Sequence, residues 1–184
     1  MADSPVSIHK PGTMAQAAVA ATAPEGMLIA PIWKRVAALM LDVFLISIIL
    51  AFLTQGSLFR YVFSIYSLIT PQAPYVLGSW IVLLTFYWLY FKYTGRQYGR
   101  SLGQRAMRIA IVHDDGSLLG IEHWGRRAAY KLRYIIPIFG QLLGLLDVYK
   151  TWKHETKRSP VDLANHTVAA VDWSLPVNTR NGLR

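Results

Sequence analysis

The 184-residue sequence contains no cysteine, which excludes a disulfide, a thiolate nucleophile and any cysteine-based metal site. Charge is sparse as well: 16% of residues are charged, and acidic residues number ten against nineteen basic ones, a formal net charge of +9. A soluble protein this basic would suggest a nucleic-acid partner. No nucleic-acid-binding motif is present, and the basic residues flank hydrophobic runs instead. The charge therefore reads as a topology signal and as attraction to anionic lipid headgroups. Histidine offers little: His113, His154 and His166 fit no zinc spacing and read as solvated.

What the chain does have is apolar length. Over half of its residues are hydrophobic (53%), with six Trp and ten Tyr, which places it in the membrane class. The uncharged run around Asp42, from Val36 to Leu53, rises about 27 Å as a helix. That is close to the hydrocarbon thickness of a bilayer. The first span is expected over residues 32–53, with Trp33, Lys34 and Arg35 as an interfacial collar. The second is expected over residues 75–93, closed by Lys92. Between them, Leu58, Phe59, Tyr61, Val62, Phe63, Ile65 and Tyr66 suggest an interfacial helix ended by Pro71 and Pro74. Residues 1–30, rich in Ala, Pro, Ser and Thr, read as a disordered tail. The Ala-dominated stretch from Ala15 to Ala23 lacks a clear basic n-region and is not read as a signal peptide.

After the second span comes a Gly-rich, basic stretch from Gly95 to Arg105. Ala106 to His113, the turn residues Asp114 to Ser117, and Leu118 to Ile121 predict a small β-hairpin. Glu122 to Arg133 reads as a basic amphipathic helix lying on the membrane surface. The third hydrophobic segment, residues 134–149, is short and interrupted by Pro137, Gly140, Gln141 and Gly144. Charge bears on its topology: of the 19 basic residues, 15 lie in two blocks, Lys92 to Arg133 and Lys150 onward. The positive-inside rule puts both blocks in the cytoplasm. The third segment is then re-entrant or broken, entering and leaving on one side, with a third full crossing as the competing topology. The fold class is an all-α integral membrane protein with two transmembrane helices, this third helix, and a small cytoplasmic hairpin with its amphipathic helix.

Motifs for catalysis are weak. Ser101 in Gly99-Arg-Ser-Leu-Gly103 departs by one residue from the Gly-x-Ser-x-Gly nucleophile elbow. Gly95, Gly99 and Gly103 recur every four residues, but their polar, basic surroundings fit a loop or a helix start better than a phosphate loop. No enzyme activity and no cofactor is expected.

Arg35 and Asp42, the stretch from Gly99 to Val112, Asp115-Gly116, Arg126-Arg127 and the segment from Ser159 to Val171 form a recognisable set. Together they resemble the RDD family of small bacterial membrane proteins, named for one arginine and two aspartates. The resemblance covers residues 31–173, leaving a C-terminal tail at 174–184. It implies Arg35 as the arginine, Asp42 as the first aspartate and Asp162 as the second, with Asp147 as competitor. Val161 stands in place of the pattern's His, and Asn165-His166 in place of the Gly before Thr167. It further implies a multi-pass protein of the bacterial inner membrane with a cytoplasmic N-terminus. Cation/proton exchange has been proposed for some members.

Two functions follow as expectations. In one, Asp42 is the titrating centre of a cation/proton exchanger, which with two spans would need to oligomerise. In the other, the protein is structural or accessory, and binds anionic lipid or a membrane-protein partner through Arg126, Arg127 and Lys131. Arg35 and Asp42 share a helical face but lie about 10.5 Å apart along the axis. Side chains lean toward the helix N-terminus, so Arg35 leans away from Asp42. Each therefore needs its own partner: a lipid phosphate or Asp162 for Arg35, and a group from the third segment such as Arg133, or water, for Asp42.

Overall fold

The computed structural model describes residues 6–7, 23–64 and 66–183. In chain order its elements are β1 (Val6–Ser7), β2 (Leu28–Ile29), α1 (Ile32–Leu53), α2 (Ser57–Val62), α3 (Ala73–Tyr98), α4 (Leu102–Ala106), β3 (Ile109–His113), α5 (Ile121–Leu132), α6 (Phe139–Lys153), α7 (Pro160–Ala164), β4 (Thr167–Val171) and α8 (Val177–Gly182). Short 3₁₀ turns occupy Tyr66–Ile69, Arg133–Ile135 and Asp172–Ser174.

α1 and α3 are long and apolar enough to cross a membrane. Each buries one narrow stripe at fourfold spacing. On α1 it is Ala38, Asp42, Ile46 and Leu50; on α3 it is Leu83, Tyr87, Phe91 and Gly95. The remaining faces are apolar and bare, as suits helices whose solvent is lipid. Polar contacts help to hold the pair. The Tyr87 hydroxyl lies 2.9 Å from the Val43 carbonyl, to which it donates, and 2.8 Å from Ser47 Oγ. Such interhelical bonds average about 0.6 kcal/mol inside a membrane. α2 is shorter than the expected interfacial helix. It packs Leu58 and Val62 onto the spans, and stacks Tyr61 on Tyr75 at 5.8 Å, so it fills the length that α1 leaves open beside α3. Ile65 lies outside the described residues.

α3 runs five residues past the expected end at Tyr93. It is continued because α5 packs along it: Trp124 lies flat over Gly95, where a Cβ would stand 2.1 Å from the ring. Only glycine admits that approach. Gly95→Ala is expected to cost about 1–3 kcal/mol, the usual range for overpacking a filled contact. A lowered melting temperature that Trp124→Leu partly restores would mark the clash as the cause.

The strands form one four-stranded sheet in the order β1-β2-β4-β3, every neighbouring pair antiparallel. β3 and β4 align fully, from Ile109 opposite Val171 to His113 opposite Thr167. This corrects the expected hairpin. The turn does form, with Asp115 accepting from the Ser117 backbone and hydroxyl. The returning strand does not: Leu118 makes a single bridge to Val112, and α5 starts directly afterwards at Ile121. The other edge of β3 is taken by β4, whose residues come from far along the chain.

The sheet also fixes topology. β2 precedes α1, β3 follows α3, and β4 follows α6, yet all three lie in one sheet. The segment between β3 and β4 must therefore leave and return on the same side of the membrane, so the third segment is not a full crossing. It is built as a bent pair. The helical stretch Ile121–Ile135 and α6 turn against each other by 117°. At the bend, Ile138 has φ +65° and ψ −65°, and the Phe139 N–H donates to the Pro137 carbonyl at 2.7 Å. This is a γ-turn of the rare form, on a β-branched residue that resists positive φ. A staple holds it: Arg133 and Tyr134, before the bend, both meet Asp147 beyond it. The tip residues Ile138 and Phe139 are exposed and apolar.

Two expected tails belong in part to the fold. Residues 1–5 and 8–22 of the expected N-terminal tail lie outside the described residues, but Val6–Ser7 pairs with β2. Met27, Ile29 and Ala30 are buried. At the other end, Leu175 is buried in the sheet's core and Leu183 packs against it. Thr179 in α8 donates to the Gly116 carbonyl at 2.8 Å, so the described part of the expected C-terminal tail, residues 174–183, packs onto the fold.

Candidate functional site

Two buried carboxylates join the sheet-bearing cap to the spans. The first is Asp162. The sequence Ser159-Pro-Val-Asp162 builds a capping box at the start of α7. The Ser159 hydroxyl accepts from the Asp162 N–H at 3.2 Å, while its own O–H donates to Asp162 Oδ2 at 2.8 Å. That orients the carboxylate toward two guanidinium groups. Arg127 of α5 sits 2.8 Å from Oδ1 and Arg35 of α1 sits 3.3 Å from Oδ2. Arg35 also donates to the carbonyls of Ala30 and Ala169, and Arg127 to the Thr167 hydroxyl, so the cluster reaches the sheet. Burial acts to raise the Asp162 pKa, but the charges of Arg127 and Arg35 and the Ser159 hydroxyl outweigh it and hold the carboxyl below its ordinary value.

The second is Asp42, 1% exposed. Its protein partners do not come from the third segment. Tyr90 donates to Oδ1 at 2.6 Å, Ser101 donates to Oδ2 at 2.5 Å, and the Gly103 N–H donates to Oδ1 at 2.7 Å. Arg133, the third-segment candidate, pairs with Asp147 instead. The physical reason is the loop after α3. Ser101 and Gln104 form a capping box at the start of α4, which presents Ser101 Oγ and the Gly103 N–H on one side. Gly103 lets that corner press onto α1: a Cβ there would lie 2.1 Å from the Ala38 carbonyl and 2.9 Å from Asp42. A carboxylate in a membrane helix costs about 2.5–3.5 kcal/mol on insertion scales. Hydrogen bonds to a charged group contribute about 1.5–3 kcal/mol each, so these donors outweigh the cost.

The contact with Tyr90 also sets the depth of Asp42. α3 begins at Ala73, so Tyr90 and Asp42 lie about 25 Å from its start, most of one hydrocarbon thickness. Along α1, Asp42 lies about 15 Å from the cap-side end at Ile32.

The remaining candidates divide. Asp147 serves the bend, apart from the Asp162 cluster. Arg126 is exposed. Arg127 is not lipid-facing as expected: it is 4% exposed and committed to Asp162, because the α5 face that carries it packs inward with Trp124 and Ala128. Lys131 is half-buried over the Phe91 ring at 4.2 Å, within electrostatic reach of Asp42, Asp162 and Arg127. Tyr90, Ser101, Gly103 and Arg158 were not singled out from the sequence as partners. Arg158 pairs with Asp114 at 2.7 Å and donates twice to the Thr167 carbonyl. The Ser101-x-x-Gln104 capping box is a sequence signal that could have pointed to Ser101 and Gly103; Tyr90 and Arg158 have none. Among the described residues, no group of three or more His, Asp or Glu is placed to hold a metal ion.

No curated protein and no solved structure matches the chain. The family model of the RDD family matches residues 29–166, a stretch that takes in Arg35, Asp42 and Asp162 together with both spans and the bent pair. With that match over most of its length, the chain belongs to the RDD family.

Proposed function

We propose that this RDD-family membrane protein is a non-enzymatic accessory protein of the bacterial inner membrane. In this reading its N-terminus and sheet-bearing cap are cytoplasmic, and its basic face engages anionic headgroups or a membrane-protein partner. Arg35, Asp42 and Asp162 are taken as the family's arginine and aspartates, with Asp162 preferred to Asp147 because it meets Arg35. The orientation is supported by the concentration of basic residues on the side of the membrane that carries the cap.

The observation that carries the reading is the closure of Asp42. An exchanger needs a carboxylate that alternates between a proton and a metal cation. Here both oxygens accept from Tyr90, Ser101 and Gly103, and the group serves to dock the cap. The test is reconstitution in liposomes with internal pH followed during an imposed Na⁺ or K⁺ gradient. Proton flux is expected to match that of protein-free vesicles. A flux that Asp42→Asn abolishes would overturn the accessory reading in favour of exchange.

A further inference from the structure

The charges gathered where the cap meets the spans do not balance. Arg35, Arg127 and Lys131 are positive, while Asp42 and Asp162 are negative, so three cations face two carboxylates. Asp162 is taken by both guanidinium groups, Arg127 at 2.8 Å and Arg35 at 3.3 Å. Asp42 accepts from Tyr90, Ser101 and Gly103, which are neutral donors. Among the described residues, the Lys131 ammonium makes no hydrogen bond and no ion pair. It rests on the Phe91 ring at 4.2 Å, and Phe91 is itself 3% exposed. Arg127, one helical turn away on α5, is short of acceptors too: its Nε is buried without a hydrogen-bond partner.

The surroundings of Lys131 leave one way to remove the excess. α1 presents Asp42, α7 presents Asp162 and α5 presents Arg127. α3 presents Phe91, while its Tyr90 hydroxyl is committed to Asp42 and its Lys92 lies over Trp88 at 4.3 Å. Ala128, Leu132 and Ile135 share the apolar cluster of Phe91. An unpaired charge in such a setting is disfavoured, and a group that can discharge does so more readily than in water. The arginines cannot, because a guanidinium keeps its proton. Protonating either aspartate would raise the excess from one charge to two. Only the lysine lowers it, by releasing a proton. Lys131 lies in α5, outside both spans. Burial pushes its pKa down, Asp42 and Asp162 oppose this, Arg127 adds to it, and the balance lies at about 8.

We infer that Lys131 is a proton-binding site at the junction of cap and spans, charged in neutral solution, neutral in mildly alkaline solution, and bracing the junction more firmly once neutral. The sign follows from linkage. A lysine whose folded pKa lies below its unfolded one contributes fully above the unfolded value, and the contribution is lost as pH falls through the folded value. The ammonium is therefore the strained form. Its proton is taken up without any ion moving the other way, so the site goes beyond both roles considered for Asp42.

The test follows the full-length protein in detergent micelles by NMR, with lysine isotopically labelled at Cε. Lys131→Met identifies the Lys131 resonance by its loss. That resonance is expected to titrate near pH 8, against about 10.4 for exposed lysines. A midpoint above about 10 would overturn the site. Melting temperature gives an independent readout. Between about pH 7 and about pH 9.5, wild type should gain about 4–8 °C more than Lys131→Met, which has no charge to lose. Lys131→Met should also melt higher than wild type at neutral pH. Lys131→Arg, which keeps its charge, should lack the alkaline gain. Parallel profiles for wild type and Lys131→Met would contradict the inference. So would a Lys131→Met protein that melts lower at neutral pH, since the ammonium would then serve Asp42 and Asp162 as a stabilising counter-charge.

Discussion

Replacing Asp162 with alanine is expected to lower the melting temperature of the detergent-solubilised protein by roughly 6–20 °C. Removing one member of a buried charge cluster costs about 3–5 kcal/mol, because its partners are left charged and unpaired. At this chain length each kcal/mol moves the midpoint by about 2–4 °C. Here two arginines lose their counter-charge at once, and the Ser159 cap of α7 loses its acceptor. The pH dependence has a definite sign. The folded carboxyl titrates below its ordinary value. Its contribution is therefore complete above the unfolded pKa of about 3.9, and is lost as pH falls through the lower folded value. Wild type should thus lose stability in acid more steeply than Asp162→Asn, whose amide has no charge to lose. A shift under 2 °C for Asp162→Ala, or identical acid profiles for wild type and Asp162→Asn, would contradict the assignment.

The second large effect is expected at the docking corner of α4. Asp42→Ala strands the Tyr90 hydroxyl, the Ser101 hydroxyl and the Gly103 N–H, each costing about 1–3 kcal/mol when buried without a partner. Gly103→Ala attacks the same corner from the other side, since its methyl group would collide with the Ala38 carbonyl and the Asp42 carboxylate. Each single substitution is expected to destabilise by at least about 3 kcal/mol. The pair should be clearly non-additive, because both undo one contact. Hydrogen exchange at the α4 amides provides the local readout. Additive effects, or undisturbed α4 protection in either variant, would show that the corner does not hold the cap to α1.

The membrane layer was legible in the sequence because its signal is local. Apolar length gave the first span from Ile32 to Leu53, and Pro137 with Gly140 announced the interrupted third segment. The separation of Arg35 from Asp42 followed from helix geometry alone. The cap was harder to read. β3 pairs with β4 across more than fifty residues, and nothing near Ile109 announces Val171 as its neighbour. A turn at Asp114-Asp115-Gly116 therefore looked like a hairpin, although its second strand is displaced by a distant competitor. The third segment and water are the partners the sequence suggests for Asp42, whereas a phenol on α3 and a hydroxyl and a backbone N–H from the start of α4 satisfy it. The capping boxes at Ser101 and Ser159 mark helix starts, but a cap motif does not name what that start will touch. Arg127 misled for a related reason: in a basic helix, sequence periodicity does not distinguish the arginine that turns inward from its neighbour Arg126, which stays outside.

The Asp162 cluster has a consequence for biosynthesis. Arg35 and Asp162 are 127 residues apart. At about 5–20 residues per second, the aspartate is made roughly 6–25 s after the arginine. α1 must enter the bilayer long before the carboxylate that completes its collar exists, and β2 must wait as long for β4. Until then Arg35 stands at the headgroup level, where lipid phosphate and water are the available counter-groups. The last strand to be synthesised closes the cap and displaces them. A chain truncated before Asp162 would thus be inserted but unsealed, with its spans in place and its sheet-bearing cap open to proteases.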